Sequence, residues 1–220
     1  MDLECGDWDS RFFGYPVGVA RLAAGADLET ELRQARRQAL ELGLRLLYVE
    51  TPPLDAGQRQ ACRQAGAAPV AINVEYAKTV AANRSIDPDP APALCREYHP
   101  ALRALVLQSG HHSRFRLDPG FRNGEFERLY DEWLAASLRG DDGKMVLVAG
   151  SASMPQGLIT IEPGTDFRIG LLAVDARWRG QGIGHRLVAA AERRCSAHAR
   201  TELRVVTQEA NQSACRFYER

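Results

Sequence analysis

Apolar positions change period along the chain, and each change marks an element. A short apolar run at Val17–Leu22 predicts a strand, and from Leu28 to Leu42 the apolar residues return at helical spacing. "RLLYVET" (45–51) predicts a second strand, closed by Pro52 and Pro53, because proline brings no N–H to a ladder. A helix is expected near Asp55–Gln64, stopped by Gly66, and "PVAINVEYAKT" (69–79) alternates as a third strand. The order β-α-β-α-β defines an expected N-terminal domain over residues 1–80. Residues 81–93, "AANRSIDPDPAPA", are read as a linker, since each proline disfavours helix at the residue before it.

The remaining residues, 94–220, carry a longer set of elements. "LCREYH" predicts a strand. "PALRALVLQSG" predicts a helix with proline in its first turn and glycine at its end. "EFERLYDEWLAASLRG" repeats the helical period and turns Phe126, Leu129, Trp133, Ala136 and Leu138 toward a core. "KMVLVAG" and "QGLITIEP" predict strands joined by the hairpin-length "SASMP", and "DFRIGLLAVD" predicts a third. After a glycine-rich loop and its helix come the strand "ELRVVTQ" and a last helix in "NQSACRFYER", with Asn211 as its N-cap. No repeat at solenoid spacing is present.

Charge and cysteine content narrow the classes. Lys plus Arg and Asp plus Glu both number 28, so no net charge argues for nucleic acid or an acidic membrane as partner, and an anion site must be local. Five cysteines without a C-x-x-C pair argue against a disulfide framework or a zinc knuckle and fit a reducing cytoplasm. The acidic start "MDLECGDWDSRFFG" does not resemble a secretion signal, and no apolar run approaches a membrane span. The expected protein is cytoplasmic and needs no metal; whether it forms a homodimer is left open.

The local chemistry concentrates in "RWRGQGIGHRL" (177–187). Gly180, Gly182 and Gly184 stand at a strand-to-helix junction, where bare backbone lets amides converge on an anion. The helix N-terminus adds unpaired amides and the positive end of its dipole, and Arg177, Arg179 and Arg186 flank the loop. The spacing is neither a Walker loop nor a G-x-G-x-x-G dinucleotide fingerprint. Taken alone, it suits a tight turn as well as a ligand cradle.

Its surroundings carry a resemblance. "LLAVDARWRGQGIGHRLV" matches the R/Q-x-x-G-x-G/A signature of the GNAT superfamily of acyl-CoA-dependent N-acyltransferases, with Arg179, Gly182 and Gly184 at the marked positions. "RIGLLA", "LRVVTQ-x-x-N", "SRFR", "LYDEWLAASLRG" and the start "WDSRFFGYPVG" resemble the TDP-fucosamine acetyltransferase subfamily, over most of the chain. The resemblance implies an α/β fold of the GNAT type: a mixed central sheet with splayed strands, flanked by helices and preceded by the smaller N-terminal domain. It implies an N-acetyltransferase that uses acetyl-CoA to acetylate the 4-amino group of a dTDP-4-amino-4,6-dideoxy sugar. Another amine acceptor, or a non-catalytic acyl-CoA-binding module, stays open beside it.

The resemblance also distributes roles. Leu172, Ala173 and Val174 would bind the pantetheine arm through their backbone, and Arg179, Gly180, Gln181, Gly182, Ile183 and Gly184 would hold the pyrophosphate. Asn211 would lie near the pantetheine. Tyr218, seven residues on and so on the same helical face, would protonate the departing thiolate. The bland alternatives are core packing for Leu172, Val174 and Tyr218 and a helix cap for Asn211. Glu162 is a conceivable acceptor of the amine proton or an ordinary strand-end glutamate. Arg114, Phe115 and Arg116, in "HHSRFRLD", would hold a nucleotide sugar, the arginines on its diphosphate and the ring on its base. The family continues past the position of Arg220 into further strands, so the strand at 202–207 is expected to expose an open edge.

Overall fold

The apolar run at 17–21 lies at the centre of a three-stranded sheet in the computed structural model, which describes residues 1–22, 27–81 and 91–220. The chain divides into two units, Met1–Val70 and Ala71–Arg220. In the first, β1 (Asp2–Cys5) is followed by α1 (Asp7–Phe13) and β2 (Val17–Arg21), and β1 pairs antiparallel with β2. Helix α1 ends at Gly14, where φ of +74° favours a residue without a Cβ. Helix α2 (Leu28–Glu41) buries Leu32, Ala35 and Ala39 and leads to β3 (Leu46–Glu50), parallel to β2. Helix α3 (Ala56–Gln64) starts at a capping box formed by Asp55 and Gln58. β1 and α1 were not anticipated, because the alternation in "DLEC" lasts four residues and α1 only seven, too short for either period to stand out.

The second unit holds a six-stranded sheet. Its elements are β4 (Asn73–Thr79), β5 (Ala93–Cys95), α4 (Pro100–Ser109), α5 (Arg114–Leu117), α6 (Glu125–Arg139), β6 (Met145–Gly150), β7 (Pro155–Pro163), β8 (Phe167–Val174), α7 (Ile183–Ala197), β9 (Glu202–Gln208) and α8 (Gln212–Tyr218). The strand order is β4-β9-β8-β7-β6-β5. Ile159, Ile161 and Ile169 meet Leu187, Ala190 and Ala191 of α7 in one core. On the opposite face lie α4 and α6, which bury Leu102, Leu105, Leu129 and Leu134.

The strand at 73–79 differs from its expected place. It does not join the N-terminal sheet; it pairs antiparallel with β9 along its whole length, from Asn73↔Gln208 to Thr79↔Glu202. The edge of β9 expected to lie open is therefore covered, and the division falls after Val70 instead of at residue 80. Alternation shows that a strand has two faces but not which sheet receives it. The linker expected at 81–93 lies mostly outside the described residues. No helix among the described residues is long and apolar enough to cross a membrane, and no group of three or more His, Cys, Asp or Glu among them is arranged to hold a metal.

Candidate active site

Strands β8 and β9 run parallel but pair only at Arg168↔Arg204 and Ile169↔Val205. Beyond Ile169, β8 keeps its ladder with β7 and leaves β9, so among the described residues no strand lies beside the β9-facing backbone edge at 170–174. The separation begins at a bulge. Ile161 pairs with Ile169 and Ile159 with Leu172, so Gly170 and Leu171 together oppose Thr160. Buried Thr160 holds the bulge: its Oγ1 accepts the Leu171 N–H at 2.8 Å. A Cβ on Gly170 would stand 2.8 Å from Thr160 Oγ1 and from Glu162 Oε1, so glycine is what lets both side chains close over the bulge. Gly170 and Thr160 are site-forming residues that the sequence reading missed; a glycine inside an apolar strand was the available signal.

The glycine loop follows the open edge of β8. Gly180 and Gly182 adopt φ of +74° and +76° with open space where a Cβ would point, so their backbone conformation, rather than crowding, calls for glycine. Gly182 is the N-cap of α7, and Arg186 N–H to Gly182 O is the first helical bond. Among the described residues the amides of Gly180 to His185 have no backbone acceptor, which is the arrangement an anion meets at a helix start. Gly184 differs from the other two. Its added Cβ would meet Phe217 of α8 at 3.0 and 3.2 Å, so its bareness seats the last helix against α7.

The flanking side chains are partly committed. Arg177 pairs with Asp175 through two bonds of 3.0 and 2.8 Å, and together with the Arg177 N–H this lowers the Asp175 carboxyl to about 2. Arg179 turns its Nε to the carbonyl of Val174 at 3.2 Å, tying the loop to the end of β8. Leu172 and Val174 are half-buried and pack against the α7 core, while Ala173 is buried. Their side chains pack into the core, and their backbone lies where β8 has parted from β9.

Helix α8 closes the far side. Asn211 caps it, its Oδ1 taking the Ala214 N–H at 3.2 Å, which leaves its amide nitrogen as the donor. Phe217 stacks near His185 of α7, with centroids 4.8 Å apart. Tyr218 packs against the core that Leu172 and Val174 also touch, and burial raises its phenol above the usual tyrosine value. Tyr76, from β4, places its ring 5.6 Å from that of Tyr218.

On the α6 face of the same gap lies a cavity of about 230 Å³. Trp133 and Ser137 form its roof, Thr160, Glu162, Arg168, Gly170 and Leu171 its floor, and Glu75 and Arg204 its side. Arg204 is held by Glu202 at 2.6 Å and Glu75 at 3.4 Å, and Arg168 by Asp166 at 3.1 Å. The Arg114–Arg116 segment does not line this cavity. Phe115 is buried at 6% exposure, its ring against Phe121 and Trp133, so the open stacking ring expected for a base is instead part of an aromatic core. Arg116 lies over Phe126 and pairs with Glu127 at 3.5 Å, and Arg114 lies over the Phe115 ring.

Residues 118–220 match the model of the acetyltransferase (GNAT) domain. A dTDP-fucosamine acetyltransferase of Escherichia coli O6:H1 (strain CFT073) is 28% identical over 215 residues, covering 96% of this chain and 88% of that protein. Among solved structures, a functionally unknown conserved protein from Staphylococcus epidermidis superposes with a TM-score of 0.57 at 13% identity, covering 93% of this chain and 79% of that one. A GCN5-related N-acetyltransferase from Sphaerobacter thermophilus gives a TM-score of 0.49 at 15% identity, over 96% and 68%. The diverging strand and the glycine loop both fall within residues 118–220, the segment that matches the acetyltransferase domain, and that match together with the acetyltransferase relative supports an acyltransferase.

Proposed function

We propose that this protein transfers an acetyl group from acetyl-CoA to the 4-amino group of a dTDP-4-amino-4,6-dideoxy sugar. The observation that carries the donor half is the departure of β8 from β9 beside the unpaired amides of the loop. An extended pantetheine arm adds along the edge of Leu172, Ala173 and Val174 as a strand would, with the Val174 carbonyl already accepting from Arg179 Nε and Gln108 Nε2. The amides from Gly180 to Gly184, with Arg179 and Gln181 beside them, take the pyrophosphate, and the N-terminal end of the α7 dipole favours its charge. The Asn211 amide nitrogen donates to the pantetheine from the far side of the gap. Gly180 and Gly182 leave room for this approach, since nothing lies within 4 Å of where their Cβ atoms would be.

Acetyl-CoA supplies the activated acyl group as a thioester; the residues supply position and protons. The acceptor enters from the cavity on the α6 face, which reaches the β8 bulge. Trp133 offers an aromatic wall, while Arg168 and Arg204 offer donors to an anionic leash such as a diphosphate. Glu162, whose carboxylate lies against Gly170, takes the proton that the amine loses as the C–N bond forms. Tyr218 gives a proton to the sulfur as the C–S bond breaks. Its half-buried phenol, raised above the usual tyrosine value by desolvation, stays protonated at neutral pH, as a donor must. Proton count balances without an enzyme-bound acyl group.

The sugar class rests on the relative, an enzyme named for dTDP-fucosamine, together with a cleft that combines an aromatic wall, arginines and carboxylates. The test is product mass after incubation with acetyl-CoA and a panel: dTDP-4-amino-4,6-dideoxy sugars of both C4 configurations, a polyamine, an aminoglycoside and a peptide with a free N-terminus. Acetylation of one dTDP sugar well above the other amines is expected. Preferential turnover of another class would overturn the sugar assignment and keep the acyltransferase.

A further inference from the structure

Strand β4 lies outside the segment that matches the acetyltransferase domain, yet it arms the site from both faces of the sheet. Its register with β9 is continuous over seven residues, and Lys78 adds an ion pair to buried Glu192 of α7 at 2.7 Å. Side chains alternate along a strand, so neighbours 75 and 76 point to opposite faces. Glu75 lines the cavity on the α6 face. Tyr76, opposite Val205, faces α8 and packs against the same core as Tyr218.

Tyr76 grips the last turn of α8 in two ways. Its ring is tilted 35° against that of Tyr218, with centroids 5.6 Å apart, and its hydroxyl donates to Glu219 Oε1 at 3.2 Å. From the other flank Phe217, wedged over Gly184, meets Tyr218 edge-on at 5.1 Å. Tyr218 is thus held between an aromatic ring from β4 and one from its own helix. A phenol that must reach a departing sulfur gains from such confinement, because proton donation is lost when the group is misplaced by about an ångström.

We propose that Tyr76 is a positioning residue for Tyr218, so that β4 completes the proton-donating half of the site. This rests on the assignment of Tyr218 as the acid. If Tyr76 acts only through Tyr218, removing it matters only while the phenol is there. Tyr76→Ala should then lower kcat about ten-fold with little change in acetyl-CoA affinity, and Tyr76→Phe, which keeps the ring, should restore most of the rate. In Tyr218→Phe, adding Tyr76→Ala should cost nothing further.

The experiment is this double-mutant cycle, with steady-state thiol release for the best acceptor of the panel and calorimetric titration with CoA. A wild-type kcat in Tyr76→Ala, or effects that multiply in the double variant, would overturn the inference. So would a loss of CoA affinity in Tyr76→Ala matching the loss of rate, which would make the residue a general support of the fold. An unchanged kcat in Tyr218→Phe would instead remove the acid assignment, and absence of turnover with every acceptor would do the same; in both cases the positioning role falls with it.

Discussion

Replacing Thr160 with valine removes one oxygen and almost no volume, which isolates what holds the β8 bulge. Thr160 is 1% exposed, and its Oγ1 is the acceptor for the Leu171 N–H at 2.8 Å. Valine leaves that amide without its partner, at a cost of about 1–3 kcal/mol for an unmatched buried donor. With a urea m-value of about 2 kcal/mol/M, the unfolding midpoint should fall by about 0.5–1.5 M. A functional consequence of similar size is expected, because the bulge sets where β8 parts from β9. Loss of its geometry should weaken acetyl-CoA binding about ten-fold, the equivalent of about 1.4 kcal/mol. Thr160→Ser keeps the acceptor and should retain CoA affinity while losing only the packing of a methyl group. Urea titration followed by far-ultraviolet circular dichroism gives the first quantity and calorimetry the second. Equal stability and equal affinity in valine and wild type would show that the amide is satisfied elsewhere and refute the account of the bulge.

The loop glycines should separate by role. Gly182→Ala forces a side chain into a left-handed conformation at about 1–2 kcal/mol and should weaken CoA binding in calorimetry, whereas Gly184→Ala should displace Phe217 and lower kcat with CoA affinity nearly kept. Since burial raises the Tyr218 phenol, its deprotonated form appears only above the usual value near 10. The kcat profile should therefore show no fall attributable to Tyr218 through pH 10, and Tyr218→Phe should lower kcat about 10²-fold at all lower pH values. A limb at or below pH 10 that vanishes in Tyr218→Phe would contradict this. Glu162→Gln should reduce kcat and leave CoA affinity unchanged; a change confined to CoA affinity would remove it from proton transfer.

Much of the second unit was legible because its elements carry clear punctuation. "ELRVVTQ" becomes β9 within the expected bounds, and Asn211 caps α8 as its side chain suggests. The glycine loop was legible as a backbone feature, but its three glycines looked alike; Gly180 and Gly182 are left-handed, whereas Gly184 is helical and packs under Phe217. Gly170 was visible as an odd residue in "FRIGLLAV", yet its reason lies in Thr160 and Glu162 of another strand. The same limit explains β4: its alternation was read as a strand, while its partner is about 130 residues away in sequence and reached through pairing with β9. Phe115 was misplaced because a polar, arginine-flanked segment suggests solvent, while the short α5 turns that ring onto Trp133. Tyr76 carried no sequence signal at all.

Acetyl-CoA is expected to engage the diverging edge of β8 and the amides of the glycine loop together. Amide hydrogen exchange of the intact protein with and without saturating acetyl-CoA measures both at once. Slowed exchange is expected at Leu171–Val174 and at Gly180–Gly184, with the two segments protected over the same ligand concentrations. Protection confined to other segments, or unchanged exchange at these two while acetyl-CoA is bound, would contradict it.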